Sequence, residues 1–307
     1  MIVVPDCLGR PEIARAFSRS LSDAGPVRIH EAPAADTAEL IHRLRGASVV
    51  VPFFAGAPLT GEVLESVRPP LVVVAGPASS CVDERAARET GTRVHGTPGL
   101  AAPAVAHYTL ALMLSLLHRI PHGAQSVRDG GWETFPGREA AGLTLGVVGL
   151  GRIGTRLAEL ASAIGMDVVG WSPRLDRGDS VPEGIQAVPL AELLTRSDVV
   201  SLHLRLGRRT RGLIGSSELA LLREDSVLVN TARAGLVDMA ALRAVVAAGK
   251  VAGVALDVHD VEPLPDDDIL RSHPAVLATP HMAWMTSRTI DRIVGAAAAV
   301  VRQESGR

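Results

Sequence analysis

Four ionisable side chains stand just after three short apolar runs of the sequence: Arg233, Asp257, Glu262 and His281. The runs are rich in valine, leucine and alanine, and such runs are typical of strands buried in a parallel sheet. In open α/β sheets, ligands bind where the carboxyl ends of the strands meet. We therefore expect the four side chains to lie on one edge of a sheet and to form one site.

These side-chain types suit the reduction of a 2-oxo acid. An arginine can hold a carboxylate through two parallel hydrogen bonds. A histidine can give a proton to a carbonyl oxygen as that oxygen becomes a hydroxyl. A glutamate beside the histidine favours the protonated imidazole and orients the ring. With a nicotinamide nearby, the set predicts hydride transfer between a 2-oxo acid and a 2-hydroxy acid.

A glycine-rich stretch at residues 144–154, TLGVVGLGRIG, would bring a dinucleotide to the same edge. An apolar strand pattern is followed by Gly149, Gly151 and Gly154, and then by a helical pattern over 152–164. The first glycine permits a tight turn, the second lets a pyrophosphate approach the backbone, and the third lets helix and strand pack closely. The start of the helix would offer free N–H groups to the phosphates.

The remaining chain alternates between strand and helix patterns, which predicts parallel βαβ units. The first predicted series has strands at 2–4, 27–29, 49–51 and 71–74 and helices at 11–21, 37–44, 61–67 and 82–90. A long helix follows at about 103–120, with a kink or break at Pro121. The second series has strands at 144–148, 167–171, 198–202, 226–230, 252–256 and 276–278, a helix at 239–248 capped by Asp238, and a final helix at about 287–302.

This pattern predicts an α/β fold of two doubly wound parallel-sheet domains. A Rossmann nucleotide domain at 101–284 would be inserted into a flavodoxin-like substrate domain made of 1–100 plus 285–307. The cleft between the domains would hold the cofactor and a small acid, and domain closure would exclude water.

Composition restricts the class of protein. The chain has 307 residues, with 47% hydrophobic and 21% charged residues, which is typical of a globular protein of about two domains. The net charge of −2 argues against a nucleic-acid partner. The two cysteines predict neither a disulfide framework nor a metal site, and no signal peptide or membrane span is visible. We therefore expect a cytoplasmic protein.

Five motifs now make a resemblance specific: VVGLGRIG at 147–154, SLHL at 201–204, VNTARAGLVD at 229–238, ALDVHDVEPLP at 255–265 and TPHMAW at 279–284. In this order and spacing they resemble the D-isomer-specific 2-hydroxyacid dehydrogenases, with the Ala-Trp pair similar to members that act on glyoxylate and hydroxypyruvate. The resemblance implies a catalytic trio in which Arg233 anchors the substrate carboxylate, His281 exchanges the proton and Glu262 pairs with His281.

The resemblance also implies binding roles and a homodimer. The implied cofactor-binding residues are Gly149, Leu150, Gly151, Arg152, Ile153, Gly154, Ser172, Arg174, His203, Thr231, Ala232 and Asp257. Arg152 and Ile153 would lie over the pyrophosphate, Thr231 and Ala232 along the nicotinamide ribose, and Asp257 near the carboxamide. His203 can equally be structural. The implied substrate-binding residues are Gly76, Ala78, Arg233, His281 and Trp284.

The chain departs from the family pattern at two binding sites. Ser172 stands where NAD-preferring members carry an acidic residue, and Arg174 follows it. These residues favour NADP(H), which carries a 2′-phosphate, although NAD(H) stays open. Four arginines of the loop 205–211 would lie near the adenine or would simply be solvated.

In the substrate loop at 76–83, Pro77 removes an expected N–H donor, while Ala78, Ser79 and Ser80 can still donate.

Two other functions remain as alternatives. One is a dehydrogenase with the same fold that acts on a phosphorylated or inorganic acid. The other is a non-catalytic protein that binds and senses NAD(H), since one branch of the family acts in transcriptional corepression. The intact trio of base, acid partner and anion binder favours catalysis.

Overall fold

The computed structural model describes residues 1–78, 81–175, 180–304 and 306. The chain divides into two compact units. Met1–Ala101 together with Met285–Arg307 form the first unit, and Ala102–Trp284 form the second unit. Ser79 and Ser80, two of the expected donors of the substrate loop, lie outside the described residues.

In the described part of the first unit, a five-stranded parallel sheet has the order β2-β1-β3-β4-β5. This is the flavodoxin-like order expected from the sequence. Its strands are β1 Ile2–Val4, β2 Val27–Ile29, β3 Val49–Val50, β4 Leu71–Val74 and β5 Arg93–Gly96. Its helices are α1 Pro11–Ser20, α2 Thr37–Leu44, α3 Gly61–Val67, α4 Glu84–Glu89 and, from the end of the chain, α12 Ser287–Glu304.

The second unit contains a seven-stranded parallel sheet in the order β12-β11-β10-β9-β6-β7-β8, as far as the structure describes it. The strands are β6 Thr144–Val148, β7 Asp167–Trp171, β8 Gln186–Ala187, β9 Val199–Leu202, β10 Val227–Asn230, β11 Gly253–Leu256 and β12 Val276–Ala278. The helices are α5 Ala102–Leu117, α6 Ile120–Arg128, α7 Arg152–Ala163, α8 Leu190–Arg196, α9 Ser216–Leu219, α10 Met239–Ala247 and α11 Ile269–Ser272. The order is that of a Rossmann fold, which confirms the predicted fold class.

The sheet of the second unit is buried on both faces. Val148 and Leu228 point to one hydrophobic cluster, while their chain neighbours Val147 and Val229 point to another. Because side chains alternate between the faces of a strand, both faces of a parallel sheet need apolar residues. This explains why these strands read as continuous apolar runs and why their positions were predictable.

The end of the long helix was predicted wrongly. The break lies at Arg119, whose left-handed backbone (φ 54°) separates α5 from α6. Pro121 lies in the first turn of α6, where a missing N–H breaks no helical hydrogen bond. The proline therefore lies in the first turn of a second helix, α6, which was not predicted.

Local capping accounts for two further boundaries. Asp83 accepts hydrogen bonds from the N–H groups of Arg85 and Ala86, so α4 begins at Glu84 and not at Val82. Asp238 caps α10 in the same way, as predicted. No helix within the described ranges is both long and apolar enough to cross a membrane.

Candidate active site

His281 and Glu262 form a hydrogen-bonded pair. Nδ1 of His281 lies 3.0 Å from Oε2 of Glu262, and the other carboxylate oxygen accepts from the N–H of His259 at 3.0 Å. Burial alone would raise the pKa of Glu262, but the hydrogen bonds from His259 and His281 outweigh it and hold this pKa below the ordinary value. The ionised carboxylate therefore accepts a hydrogen bond from the N–H at Nδ1, which leaves Nε2 of the imidazole available to a ligand.

The loop that carries His281 is held by the carboxylate of Asp257. This side chain is fully buried and accepts from the hydroxyl of Thr279 at 2.7 Å and from the N–H groups of Met282 at 2.9 Å and Ala283 at 2.8 Å. His281 itself adopts a left-handed backbone (φ 51°), a conformation that the surrounding structure must enforce for a residue other than glycine. Asp257 thus fixes the residues on both sides of the strained histidine.

A turn after β10 positions Arg233. The buried side chain of Asn230 donates to the carbonyl of Arg233 at 3.0 Å and accepts from the N–H of Ala232 at 3.0 Å. A short 3₁₀ turn then begins at Ala234. Arg233 is exposed, and its Nη1 donates to the carbonyl of Ala232 at 2.6 Å. The guanidinium is therefore attached to a rigid backbone while part of its donor set faces solvent.

The three candidate catalytic residues share one edge of the sheet. Arg233 follows β10, Glu262 follows β11 and His281 follows β12, and these three strands are neighbours in the sheet. The N–H of Asp257 also bonds to the carbonyl of Asn230 at 3.0 Å, which ties the first two strand ends together. The edge is also the one at which the glycine-rich turn follows β6.

The glycine-rich turn has the shape that a dinucleotide requires. A Cβ on Gly149 would lie 2.7 Å from the backbone of His203, and a Cβ on Gly154 would clash with the carbonyl oxygen of Gly149. A Cβ on Gly151, by contrast, would meet nothing within 4 Å and would occupy open space in front of α7. Two glycines are thus needed for packing, and the third keeps a cradle clear for a group that approaches the helix N-terminus.

An open groove of about 570 Å³ adjoins this cradle. Its walls include Gly151, Leu150, Thr155 and three arginines, Arg152, Arg156 and Arg174. Arg156 pairs with Glu159 at 2.6 Å. The groove is therefore predominantly cationic and can take an anionic ligand, and the residues present fit the phosphates of a dinucleotide.

The other predicted cofactor contacts have defined places. Ser172 is buried at the end of β7 and its Oγ accepts from the N–H of Arg174 at 3.4 Å. The hydroxyl of Thr231 lies 2.8 Å from that of Thr109, and Ala232 is partly buried against one core cluster. The side chain of Ile153 packs into the other core cluster, so this residue can face a pyrophosphate only through its backbone.

His203 has an enclosed ring. Its Nε2 lies 2.8 Å from Oγ of Ser201, and Nδ1 is buried without a hydrogen-bond partner among the described residues. Burial lowers the pKa of His203 to about 3, so the ring is neutral. These features favour the structural interpretation, in which the backbone of His203 packs against Gly149 and its ring bonds to Ser201.

Gly76 and Ala78 belong to the first unit, at the carboxyl end of β4. The N–H of Gly76 donates to Oγ1 of Thr97 at 2.9 Å and its carbonyl accepts from the N–H of Thr97 at 2.7 Å. Gly76 therefore has no N–H left for a substrate carboxylate, whereas the N–H of Ala78 has no partner among the described residues. Trp284 is buried at the end of the second unit.

The sequence reading missed two residues that build the site. Thr279 donates to Asp257, and Asn230 organises the arginine turn. Both stand next to motif residues, so a polar side chain at the end of a buried strand was the available signal. The hydrogen-bond partners of Thr279 and Asn230 could not be deduced, because they lie on other strands or depend on the geometry of a turn.

Comparison with known proteins identifies the family of this chain. Residues 110–283 match the profile described as "D-isomer specific 2-hydroxyacid dehydrogenase, NAD binding domain". The chain belongs to the D-isomer specific 2-hydroxyacid dehydrogenase family. This is a family of oxidoreductases, and its named domain, which binds a nicotinamide dinucleotide, coincides with the second unit.

Relatives within this family carry several names. The chain is 36% identical to the D-3-phosphoglycerate dehydrogenase of Methanocaldococcus jannaschii over 81% of its own length and 48% of the relative's. It is 36% identical to the hydroxypyruvate reductase of Thermotoga maritima over 76% of its own length and 78% of the relative's. The crystal structure of the TT0316 protein from Thermus thermophilus is similar with a TM-score of 0.88 and 34% identity, and the similarity covers 99% of this chain and 97% of that one. The chain thus spans about half of the length of the phosphoglycerate dehydrogenase that it matches.

Proposed function

We propose that this protein is an NAD(P)-dependent oxidoreductase that interconverts a small D-2-hydroxy acid and its 2-oxo acid. The observation that carries the proposal is the His281–Glu262 pair at 3.0 Å, on the same sheet edge as Arg233 and the glycine-rich cradle. Family membership supports the reaction class, and the hydroxypyruvate reductase among the relatives supports a small acid as the substrate.

Arg233 would anchor the substrate. Its planar guanidinium can bind a carboxylate with two parallel hydrogen bonds and can also polarise the neighbouring carbonyl. The turn that Asn230 holds fixes the backbone of Arg233, and the bond from Nη1 to the carbonyl of Ala232 restrains the side chain before substrate arrives. Less conformational entropy is therefore lost on binding than a flexible surface arginine would lose.

His281 would hold and move the proton. In reduction, Nε2 gives a proton to the carbonyl oxygen as that oxygen becomes a hydroxyl, and in oxidation the same atom takes it back. Glu262 stabilises the protonated imidazole and keeps Nδ1 protonated, so that Nε2 is the nitrogen that faces the substrate. Asp257 keeps the loop in place while the charge on the ring changes.

The dinucleotide would be held by Gly149–Gly154 and by the N-terminus of α7, and when bound it would supply the hydride. We propose a preference for NADP(H). Ser172 leaves no carboxylate to repel a 2′-phosphate, and Arg174 lines the cationic groove with Arg152. The arginines of the loop 205–211 would add positive potential around the adenine end.

A phosphorylated acid is a second candidate substrate, since a D-3-phosphoglycerate dehydrogenase stands among the relatives.

We also propose a homodimer. The side chains of Ile120, Val127 and Trp132 in and after α6 are 56%, 55% and 86% exposed, and no residue of α6 is buried. Exposed large apolar side chains of this kind are typical of a subunit interface.

A panel of acids tests the proposed reaction. Glyoxylate, hydroxypyruvate, pyruvate, phenylpyruvate, a branched 2-oxo acid and the 2-oxo form of phosphoglycerate are each added with NADH or NADPH, and absorbance at 340 nm is followed. Oxidation of the dinucleotide by at least one small acid is expected, with a D-configured product wherever the product is chiral; glycolate, from glyoxylate, is not. A protein that binds the dinucleotide and reduces none of these acids would be a binding protein instead.

A further inference from the structure

Arg243 bridges two carboxylates that lie outside its own helix. The side chain projects from α10, and its Nη1 and Nη2 bond to the two oxygens of Asp260 at 3.0 and 2.8 Å. Nε and Nη2 bond to Oδ2 of Asp268 at 3.0 and 2.6 Å. The guanidinium thus presents one edge, with Nη1 and Nη2, to Asp260 and another edge, with Nε and Nη2, to Asp268. Among the side chains, only arginine has two such edges with paired donors.

The two carboxylates bracket the segment that carries Glu262. Asp260 stands two residues before Glu262, and Asp268 stands six residues after it. The segment between them forms neither helix nor strand, and residues 260–263 are exposed. Leu264 packs against a core cluster, but Glu262 and its immediate neighbours do not, so polar contacts must supply much of the restraint on Glu262.

The charge pattern makes this restraint strong. The carboxylate of Asp268 is only 6% exposed and also caps α11 by accepting from the N–H of Leu270 at 2.9 Å. Hydrogen bonds from Arg243 hold the pKa of Asp260 and that of Asp268 below the ordinary value. Without the guanidinium, two carboxylates would face each other across the same gap, one of them buried without a countercharge.

We propose that Arg243 is a positioning residue for the acid–base pair: by clamping Asp260 and Asp268 it fixes the segment from which Glu262 reaches His281. The proposal rests on the proposed function for its kinetic consequence, but the clamp itself is a property of the fold. The hydrogen bonds of Arg243 go to Asp260 and Asp268 and not to Glu262 or His281, so it acts through the backbone of residues 260–268.

Two substitutions and a control test the kinetic consequence. Arg243→Met keeps the apolar stem and removes the guanidinium, and Arg243→Lys keeps the charge without the planar fork. Arg196→Met is the matched control, since Arg196 pairs with Glu192 on the exposed surface of α8 in the same unit. We expect Arg243→Met to lower kcat/KM by roughly 10- to 100-fold, because small displacements of catalytic groups are costly. Arg243→Lys should lose less, and Arg196→Met almost nothing, while the Kd of the dinucleotide stays the same in all three.

A double-mutant cycle separates positioning from general destabilisation. If Arg243 acts through Glu262, then Arg243→Met should have little further effect on kcat/KM in a protein that already carries Glu262→Ala. A loss that adds in full to that of Glu262→Ala would overturn the proposal. So would an Arg243→Met protein that behaves like the Arg196→Met control.

Hydrogen exchange gives a readout that needs no activity. The N–H of His259 is bonded to Oε1 of Glu262, so its exchange reports whether Glu262 is held in place. We expect this amide to exchange faster in the Arg243→Met protein, while the amides of β6 and α7 stay protected. Unchanged exchange at His259 would overturn the clamp. If the wild-type protein reduces no acid, the proposed function fails, and this exchange measurement alone decides the role of Arg243.

Discussion

Oε2 of Glu262 lies 3.0 Å from Nδ1 of His281 across 19 residues of chain, and Oε1 of the same carboxylate accepts from the N–H of His259. One side chain thus joins the segment after β11 to the loop after β12. Asp257 makes the same connection from the buried side through Thr279, Met282 and Ala283. The histidine is therefore held from two directions, as a group that must exchange protons at a defined point requires.

Replacement of Glu262 by glutamine tests the electrostatic half of this pair. The amide can still accept from His259, but it no longer favours the protonated imidazole. We expect kcat/KM for reduction to fall, because the amide does not stabilise the positive charge of the proton donor, while the Kd of the dinucleotide changes little. A kcat/KM equal to that of the wild type would show that the carboxylate does not assist proton transfer.

Replacement of Arg233 by lysine tests the carboxylate anchor. Lysine keeps the positive charge but cannot form two parallel hydrogen bonds with a carboxylate. We expect kcat/KM for the 2-oxo acid to fall about 10- to 100-fold, while the Kd of the dinucleotide changes little. Steady-state kinetics with titration of the dinucleotide measures both quantities, and equal kcat/KM in the two proteins would contradict the anchor.

Replacement of Arg174 by alanine tests the preference for NADP(H). Loss of a charge-assisted hydrogen bond to a 2′-phosphate should raise the KM for NADPH about 10-fold or more, and should leave the KM for NADH nearly unchanged. Arg196→Ala provides the control for a lost surface arginine. Equal effects on the two dinucleotides would remove the physical reason for the preference.

Acid stability tests the clamp at Arg243. The folded-state pKa values of Asp260 and Asp268 lie below the ordinary value of 3.8, because Arg243 donates hydrogen bonds to the ionised forms. Their contribution to the free energy of unfolding is therefore present above about pH 4 and is lost as the pH falls through the lowered folded-state values. Urea unfolding at a series of pH values should show this loss in the wild type, and a smaller loss below pH 4 in the Arg243→Met protein. Identical pH dependence in the two proteins would mean that Arg243 does not stabilise the ionised forms of the two carboxylates in the folded protein.

Much of the architecture was predictable because the strands are buried on both faces. Runs such as Leu71–Val74 and Val227–Asn230 are mostly apolar. Such a run predicts a buried strand even when the strands beside it are not known. β5 was missed because Arg93–Gly96 is a partly exposed strand with only one aliphatic residue. β8 was missed because Gln186–Ala187 is an exposed edge strand of two residues. The position of the break in the long helix depends on the left-handed backbone of Arg119, a conformation that an arginine in the sequence does not predict.

The site was predictable as a set of residues and not as a set of contacts. Strand ends and glycine spacing identify which side chains share an edge. The buried bond between Asp257 and Ala283 spans 26 residues, and the contact of Arg243 with Asp268 spans 25. Contacts of this kind depend on how neighbouring strands are aligned, and the catalytic and binding roles themselves stay predictions until they are measured.

The turnover of the His281→Ala protein tests the central claim most directly. Its kcat should be determined for the 2-oxo acid that the wild type reduces best, with the Kd of the dinucleotide determined on the same sample. Because the imidazole would be the proton donor and takes no part in the glycine-rich cradle, we predict that kcat falls about 100- to 10,000-fold while the dinucleotide still binds. Near-normal turnover by this protein would contradict the assignment of His281 as the acid–base residue, and with it the account of the site.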